Sequence, residues 1–182
     1  GLANIMMDVL DHSKQDLSLN RLLQWHQWLF PNLGVFNADL QVGSLRGDEV
    51  IQVVSGRLDQ PIVHYEAPPR IDLPKQLDDF IVWFNFTRDH KQIDPIIRAA
   101  ITHLWFVTLH PFEDGNGRLT RTLTDLALTQ MDTQSIRLYA MSATILVHRS
   151  DYYLILEQTQ KGGLDISLWM DWFINCFIEA LE

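Results

Sequence analysis

Residues 94–121 read DPIIRAAITHLWFVTLHPFEDGNGRLTR, and how this stretch divides decides the fold. Asp94 before Pro95 is a strong helix start, an N-cap followed by proline at the first helical position. From there Ile96, Ile97, Ala100, Leu104 and Val107 carry an apolar helix to about Leu109. It is apolar almost all round, which predicts a helix at the centre of the core. A second helical run begins at Arg118 and continues to Met131. Gly115 and Gly117 therefore sit where one helix ends and another begins.

Outward from this pair, helical periodicity dominates. Leu2, Ile5, Met6, Val9 and Leu10 mark a first helix, followed by polar residues 11–16. Ser18 reads as the N-cap of a second, with Leu19, Leu22, Leu23, Trp25 (or His26) and Leu29 as its apolar face; Pro31 ends it. Residues 73–87 are helical again, apolar at Leu77, Phe80, Ile81 and Phe84. Further helices are predicted at 138–147, at 151–160 before Gly162 and Gly163, and at 166–181. The exception is 34–70. There, 49–54 and 61–65 are β-prone runs joined by Ser55-Gly56-Arg57-Leu58-Asp59, a hairpin closed by Pro68 and Pro69. Because an isolated hairpin is marginal in water, it must lie on the helical body or gain partners on binding. The predicted fold is all-α, a helical bundle with one inserted β-hairpin.

Composition sets the outer bounds. At 182 residues the chain suits one domain spanning 1–182, which at that size buries about two thirds of its unfolded surface. It is 47% hydrophobic and 20% charged, as soluble globular proteins are. A net charge of −9, from 23 acidic and 14 basic residues, argues against a nucleic-acid partner, which would need a basic face. It leaves room for a local basic site at Arg118 and Arg121. The single cysteine, Cys176, makes no internal disulfide, which points to a reducing, cytoplasmic compartment. It reads as a small buried side chain. No run approaches the roughly 18–20 apolar residues of a membrane span, and no signal peptide is visible, so no membrane partner is expected. Gly1 in place of Met, opening in mid-helix, predicts that the N-terminus of a longer protein lies upstream.

The segment 110–121 concentrates the chemistry. Gly115 and Gly117 let the backbone turn tightly and approach a ligand. A glycine-rich turn opening a helix exposes N–H groups at the positive end of the macrodipole, a ready anion site. Asn116 can add an amide donor. Arg118 and Arg121, three residues apart, are expected on one face, forking onto phosphate oxygens. Asp114 offers a hard oxygen ligand suited to Mg²⁺ bridging phosphates. His110 precedes the turn with an ordinary pKa of about 6.5, right for a general base at neutral pH. Phe112 is expected to point inward and anchor the loop. Together these are the parts needed to hold a nucleotide triphosphate beside a base.

Taken singly, each residue has an ordinary reading. A histidine beside an apolar helix is more often structural than catalytic. Gly-Asn-Gly alone is usually a turn. Arg118 and Arg121 with Asp114 or Asp125 would make a surface ion-pair cluster, worth under about 1 kcal/mol per pair. The opening Asp114-Gly115-Asn116 imitates a calcium loop, but such loops need glycine at position six, where Leu119 stands. It is the ordered string that argues for function.

That string resembles the signature of the Fic family, His-x-Phe-x-(Asp/Glu)-Gly-Asn-Gly-(Arg/Lys)-x-x-Arg, at every defined position. The resemblance covers nearly the whole chain. Gln52-Val53-Val54-Ser55-Gly56 resembles the family's flap, and Tyr152-Tyr153 through Gly162 its adenine-side helix. His64-Tyr65-Glu66-Ala67-Pro68-Pro69 and Thr159-Gln160-Lys161-Gly162 are similar to bacterial members with an extra N-terminal helical domain. The resemblance implies protein adenylylation, in which AMP moves from ATP to a Ser, Thr or Tyr hydroxyl of a target, the protein itself included. His110 would deprotonate the hydroxyl, and Asp114 would hold Mg²⁺ on the α- and β-phosphates. Asn116 and the N–H groups at Gly115 and Gly117 would bind phosphate oxygens, Arg118 the β-phosphate side, and Arg121 the γ-phosphate. Phe112 would belong to the same loop. Tyr152 and Gln160 would lie near the adenine, Gln160 standing where some relatives carry Asn. The flap, at Val53, Val54, Ser55 and Gly56, would hold the target segment as an added strand. A homodimer is among the partners the resemblance allows.

Many family members also carry an inhibitory helix, (Ser/Thr)-x-x-x-Glu-(Gly/Asn). No Glu here has Ser or Thr four before it and Gly or Asn after it. Either a separate partner regulates the protein or the helix lies upstream of Gly1, which the opening in mid-helix favours. Three functions compete. The first is AMP transfer. The second is a relative that uses another donor, acts as a kinase, or removes AMP; the intact glycines and the missing regulatory Glu argue against it. The third is a non-catalytic nucleotide-binding module, which would need no His110.

Overall fold

The structure is a computed structural model that describes residues 1–31, 40–57, 60–90, 92–130 and 140–181, with the main chain alone at 54–57, 60–62 and 140. In chain order these form α1 (Leu2–Asp11), α2 (Leu19–Leu29), β1 (Gln52–Arg57), β2 (Gln60–Glu66), α3 (Leu73–Thr87), α4 (Pro95–Leu109), α5 (Asn116–Thr129), α6 (Ala140–Val147), α7 (Arg149–Lys161) and α8 (Ser167–Leu181). The α-helical bundle with one hairpin is as the sequence predicts.

α4 is the centre, packed against α3, α5 and α8. Its start obeys local rules: the Asp94 carboxylate accepts from the N–H groups of Ile96 (2.8 Å) and Ile97 (3.3 Å). Ser18 caps α2 in the same way, accepting from the Arg21 N–H at 3.2 Å. Such caps are each worth about 1 kcal/mol. The buried face of α4 differs from the apolar periodicity. Ala99, Ala100, Phe106 and Leu109 are buried, but so are Arg98, Thr102 and His103, while Ile96, Leu104 and Val107 are only partly covered. The polar residues enter because each finds a partner. Arg98 donates to the Phe84 carbonyl (2.7 Å), to Gln130 (2.9 Å) and to the Thr87 hydroxyl (3.0 Å), and its guanidinium lies 4.4 Å from the Phe84 ring centroid. Burial pulls its pKa down to about 10. Around α4, Phe80 meets Trp105 and Phe106 with ring centroids 5.6 Å apart in each case, the tilted geometry that aromatic rings prefer.

The strands pair antiparallel, with Val53 opposite Tyr65, an irregularity before Val54, and then Ser55, Gly56 and Arg57 opposite Ile62, Pro61 and Gln60. β1 thus runs into the expected turn. Only Leu58 and Asp59 of that turn remain between the strands, and they lie outside the described residues. The hairpin rests on the helical body, as its instability alone requires. The Tyr65 hydroxyl donates to the Thr108 carbonyl in α4 at 2.7 Å, and His64 bonds to Glu157 in α7. α5 starts two residues earlier than predicted, at Asn116, and α7 extends from Arg149 to Lys161. Residues 34–39 of the hairpin region, and Met131, Leu138 and Tyr139 of the predicted helices, lie outside the described residues. No helix among those described is long and apolar enough to cross a membrane.

Candidate active site

The site forms where α4 ends and α5 begins. His110 caps α4 in the left-handed region, φ 48° and ψ 58°. For a residue with a side chain that conformation costs about 1–2 kcal/mol. Its Nδ1 faces the Val107 carbonyl at 3.4 Å. A carbonyl only accepts, so Nδ1 carries the proton and Nε2 keeps a lone pair. Burial holds the pKa below 6.5, and the Arg46 charge pushes the same way, against the Val107 hydrogen bond and Asp114. At neutral pH the ring is therefore an uncharged acceptor.

The turn is braced from within. Phe112 is fully buried and stacks on His26, centroids 4.1 Å apart. His26 donates from Nε2 to the Asp114 carbonyl (3.1 Å) and accepts at Nδ1 from the Gly43 N–H (2.9 Å). Asn116 accepts from the Phe112 N–H (3.0 Å) and donates to the Phe112 carbonyl (2.7 Å). Both ends of its amide are thus engaged within the turn, and the Phe112 ring points inward as expected. Gly115 adopts φ +83°, and a Cβ there would lie 3.2 Å from Leu29 Cδ1 and 3.3 Å from Phe30 Cε2. Its N–H donates to the Asp114 carboxylate at 2.6 Å. The first turn of α5 leaves the N–H groups of Asn116, Gly117 and Arg118 without helical partners, at the positive end of the helix.

A cavity of about 160 Å³ opens beside this turn, lined by His110, Gly117, Arg121, Tyr152, Gln160 and Val53 among others. These are the expected residues that the fold brings together. A larger hollow of about 530 Å³ shares Arg121, Tyr152 and Tyr153 with it and adds Arg149. Arg118 and Arg121 do not share one face. Arg121 enters the cavity, whereas Arg118 lies over the Phe30 ring at 4.7 Å and reaches Asp114 at 3.4 Å. Asp114 stands at the solvent rim. Among the described residues no three His, Cys, Asp or Glu side chains gather as a metal site. One exposed carboxylate still fits Mg²⁺, which takes one or two carboxylates and completes its shell with phosphate oxygens and water. Val54, Ser55 and Gly56 lie in β1, where the main chain alone is described.

The back wall is a proton-ordered chain. The Thr124 hydroxyl donates to the Thr120 carbonyl (2.9 Å), so it accepts from His103 Nδ1 (2.9 Å). His103 Nε2 then accepts from the Tyr152 hydroxyl at 3.0 Å. Burial drives the His103 pKa down to about 3, and the Arg121 charge adds to this. Tyr152 thus turns only its ring to the cavity. Gln160 donates from its amide to the Thr108 hydroxyl at 3.0 Å. Asp125, one turn beyond Arg121, is buried, which raises its carboxyl to about 7 against the pull of Arg121.

Sequence reasoning missed Arg46, His26 and His103. Buried Arg46 donates from Nε to the His110 carbonyl (2.8 Å) and from Nη2 to the Pro68 carbonyl (2.5 Å), and its N–H bonds to the Pro111 carbonyl (2.9 Å). Each of these three is a lone polar residue whose partners lie far along the chain, 64 residues away for Arg46 and 88 for His26. No local pattern announces such contacts.

Comparison with known proteins agrees with this arrangement. Residues 16–128 match the model of the Fic/DOC family. The protein adenylyltransferase fic-1 of Caenorhabditis elegans is 31% identical over 157 residues, covering 86% of this chain and 27% of that protein. A probable protein adenylyltransferase of Aquifex aeolicus is 26% identical over 100 residues, 55% of this chain and 28% of that one. The chain thus spans little more than a quarter of the length of these relatives. Among solved structures, a Fic family protein from Desulfovibrio desulfuricans superposes with TM-score 0.74 at 23% identity, over 98% of this chain and 49% of that one. A Fic-domain signalling protein from Bacteroides thetaiotaomicron gives 0.71 at 21% identity, over 97% and 65%. At such identities the structures speak for the fold, and the family match, which runs from before α2 through the motif into α5, speaks for descent. This chain belongs to the Fic/DOC family.

Proposed function

We propose that this domain, residues 1–182, is a protein adenylyltransferase that moves AMP from ATP to a Ser, Thr or Tyr hydroxyl of a target protein. One observation carries the reading: the free Nε2 of His110 opens into the same cavity as Gly117, at the N-terminus of α5, and Arg121. A base and an anion cradle there address one ligand. The triphosphate lies along the α5 N–H groups with Arg121 on its terminal charge. The target hydroxyl approaches the α-phosphorus from the side of His110. Its oxygen forms the new O–P bond, the bond from the α-phosphorus to the bridging oxygen breaks, and pyrophosphate leaves with that electron pair. The hydroxyl proton passes to Nε2. Mg²⁺, held by Asp114, would neutralise charge on the phosphate oxygens. Such transfer depends on positioning and charge more than on covalent catalysis, which suits a site without a nucleophile of its own.

Tyr152, with its hydroxyl tied back, and Gln160 face the base of the nucleotide. Each strand of the two-stranded hairpin has one edge that its partner strand does not take, and residues 53–56 lie on such a strand. A target segment adds there through main-chain hydrogen bonds. The same reading sets the protein in a reducing cytoplasm, where a single buried Cys176, its thiol pushed up to about 12, stays inert.

The test uses ATP labelled at the α- or the γ-phosphate, with the wild type and His110→Ala. Protein labelled from the α position, and not in the variant, is the expected result. Label from γ alone would replace the reading with phosphoryl transfer. ATP binding without label would leave a non-catalytic nucleotide binder.

A further inference from the structure

A residue with a side chain does not rest in the left-handed region, where His110 sits at φ 48°, unless its surroundings hold it there. Arg46 supplies that hold. It is 2% exposed, and its three bonds fall on the carbonyls of His110, Pro111 and Pro68. The charge acting on it is that of Arg70, and among the described residues no carboxylate stands beside it. A buried cation without a carboxylate is expensive, and an apolar side chain would fill the same space at lower cost. What it grips gives that cost a purpose.

What it grips are two ends of one device. Pro68 follows directly on the hairpin, and His110 and Pro111 open the catalytic turn. Two further bonds run in parallel. The Tyr65 hydroxyl of β2 donates to the Thr108 carbonyl at 2.7 Å, and Arg70 Nε donates to the Arg46 carbonyl at 2.7 Å. The hairpin and the segment after it are thus tied to residues 108–111 by side chains that touch no part of the nucleotide cavity except Tyr65.

We propose that Arg46 is the positioning residue of His110, locking the main chain of the catalytic turn to the base of the flap so that Nε2 meets a hydroxyl delivered by that flap. This rests on the assignment of His110 as the base of AMP transfer. A base displaced by about 1 Å loses on the order of 100-fold in rate while the binding groups stay in place. Loss of Arg46 should therefore lower kcat and spare ATP affinity.

The test compares Arg46→Met and Arg46→Lys with the wild-type chain. ATP affinity is measured by calorimetry, kcat with α-labelled ATP, and the His110 ring and amide resonances by NMR. The expected kcat falls about 100-fold for Arg46→Met and about 10-fold for Arg46→Lys. ATP affinity should stay within about threefold and the His110 resonances should move in both. Wild-type kcat in either variant, or ATP affinity falling in step with kcat, would overturn the proposal. If Arg46→Met does not fold, Arg46→Lys decides by the same criteria. If the wild type transfers no AMP, the enzymatic reading fails on its own. The positioning role then stands or falls on whether the His110 resonances shift.

Discussion

Replacing Gly115 by alanine and replacing Gly117 by alanine are the same edit two residues apart, and the structure predicts opposite effects on stability. At Gly115 the backbone holds φ +83°, and the new Cβ would press on Leu29 Cδ1 at 3.2 Å and on Phe30 carbons at 3.3 and 3.4 Å. The conformation costs about 1–2 kcal/mol for an L side chain, and the crowding adds to it. A total of about 2 kcal/mol lowers the melting temperature by about 4–8 °C in a domain of this size. At Gly117 the neighbour within reach of a Cβ among the described residues is Arg121 Nη1 at 3.6 Å, an ordinary contact, and the residue is already helical. Alanine there removes unfolded-state freedom and stabilises by about 0.5–1 kcal/mol. Its methyl group nevertheless stands in the cavity beside Arg121, where the proposed triphosphate would lie. A loss of about tenfold in ATP affinity, about 1.4 kcal/mol, is expected. Thermal unfolding and calorimetric titration with ATP, run on both variants, separate the effects. If Gly117→Ala melts as low as Gly115→Ala, or binds ATP like the wild type, the account of the cradle is wrong.

Three further outcomes follow from buried polar groups. His103 has a folded pKa of about 3, so the unfolded chain takes up its proton first, and stability is lost as pH falls below 6.5 by up to about 1.4 kcal/mol per unit. His103→Gln should flatten the dependence of melting temperature on pH between 7 and 5; an unchanged slope would count against the buried neutral ring. Asp125 titrates the other way, its folded carboxyl raised to about 7 from 3.8, so its stability contribution falls as pH rises between those values. Asp125→Asn should raise the urea midpoint at pH 8 and do little at pH 4, and the reverse order would refute the burial argument. Arg98→Met removes the strong donor to the Phe84 carbonyl and the donor to Gln130, a loss of about 2–4 kcal/mol. An unchanged denaturation midpoint would show that those bonds carry no net stability.

Local chemistry made much of this molecule legible in advance. Ser18 and Asp94 cap their helices through their own side chains, and α3 occupies the predicted span because its apolar spacing and its proline are both near at hand. The turn between α4 and α5 was readable for the same reason, since its motif lies within twelve positions. Legibility stopped where a residue's role is set by remote partners. Asn116 looks like a free donor until Phe112's main chain is seen to take both ends of its amide. Ser55 and Gly56 read as turn residues, yet the register places them opposite Ile62 and Pro61 within the ladder. Arg98, Thr102 and His103 interrupt an apolar pattern without marking themselves as core, because their satisfaction depends on Thr87, Gln130, Thr124 and Tyr152.

The six-residue connection between α4 and α5 carries a consequence for control. Arg46, His26 and Asn116 clamp it from three directions, so there is no joint inside it about which proton acceptor and cradle could swing apart. On the proposed function, any motion that accompanies turnover falls to what the substrates themselves bring or to the hairpin. A machine of this build is silenced more readily by a plug in its open space than by bending its frame, because bending would have to break several main-chain bonds at once.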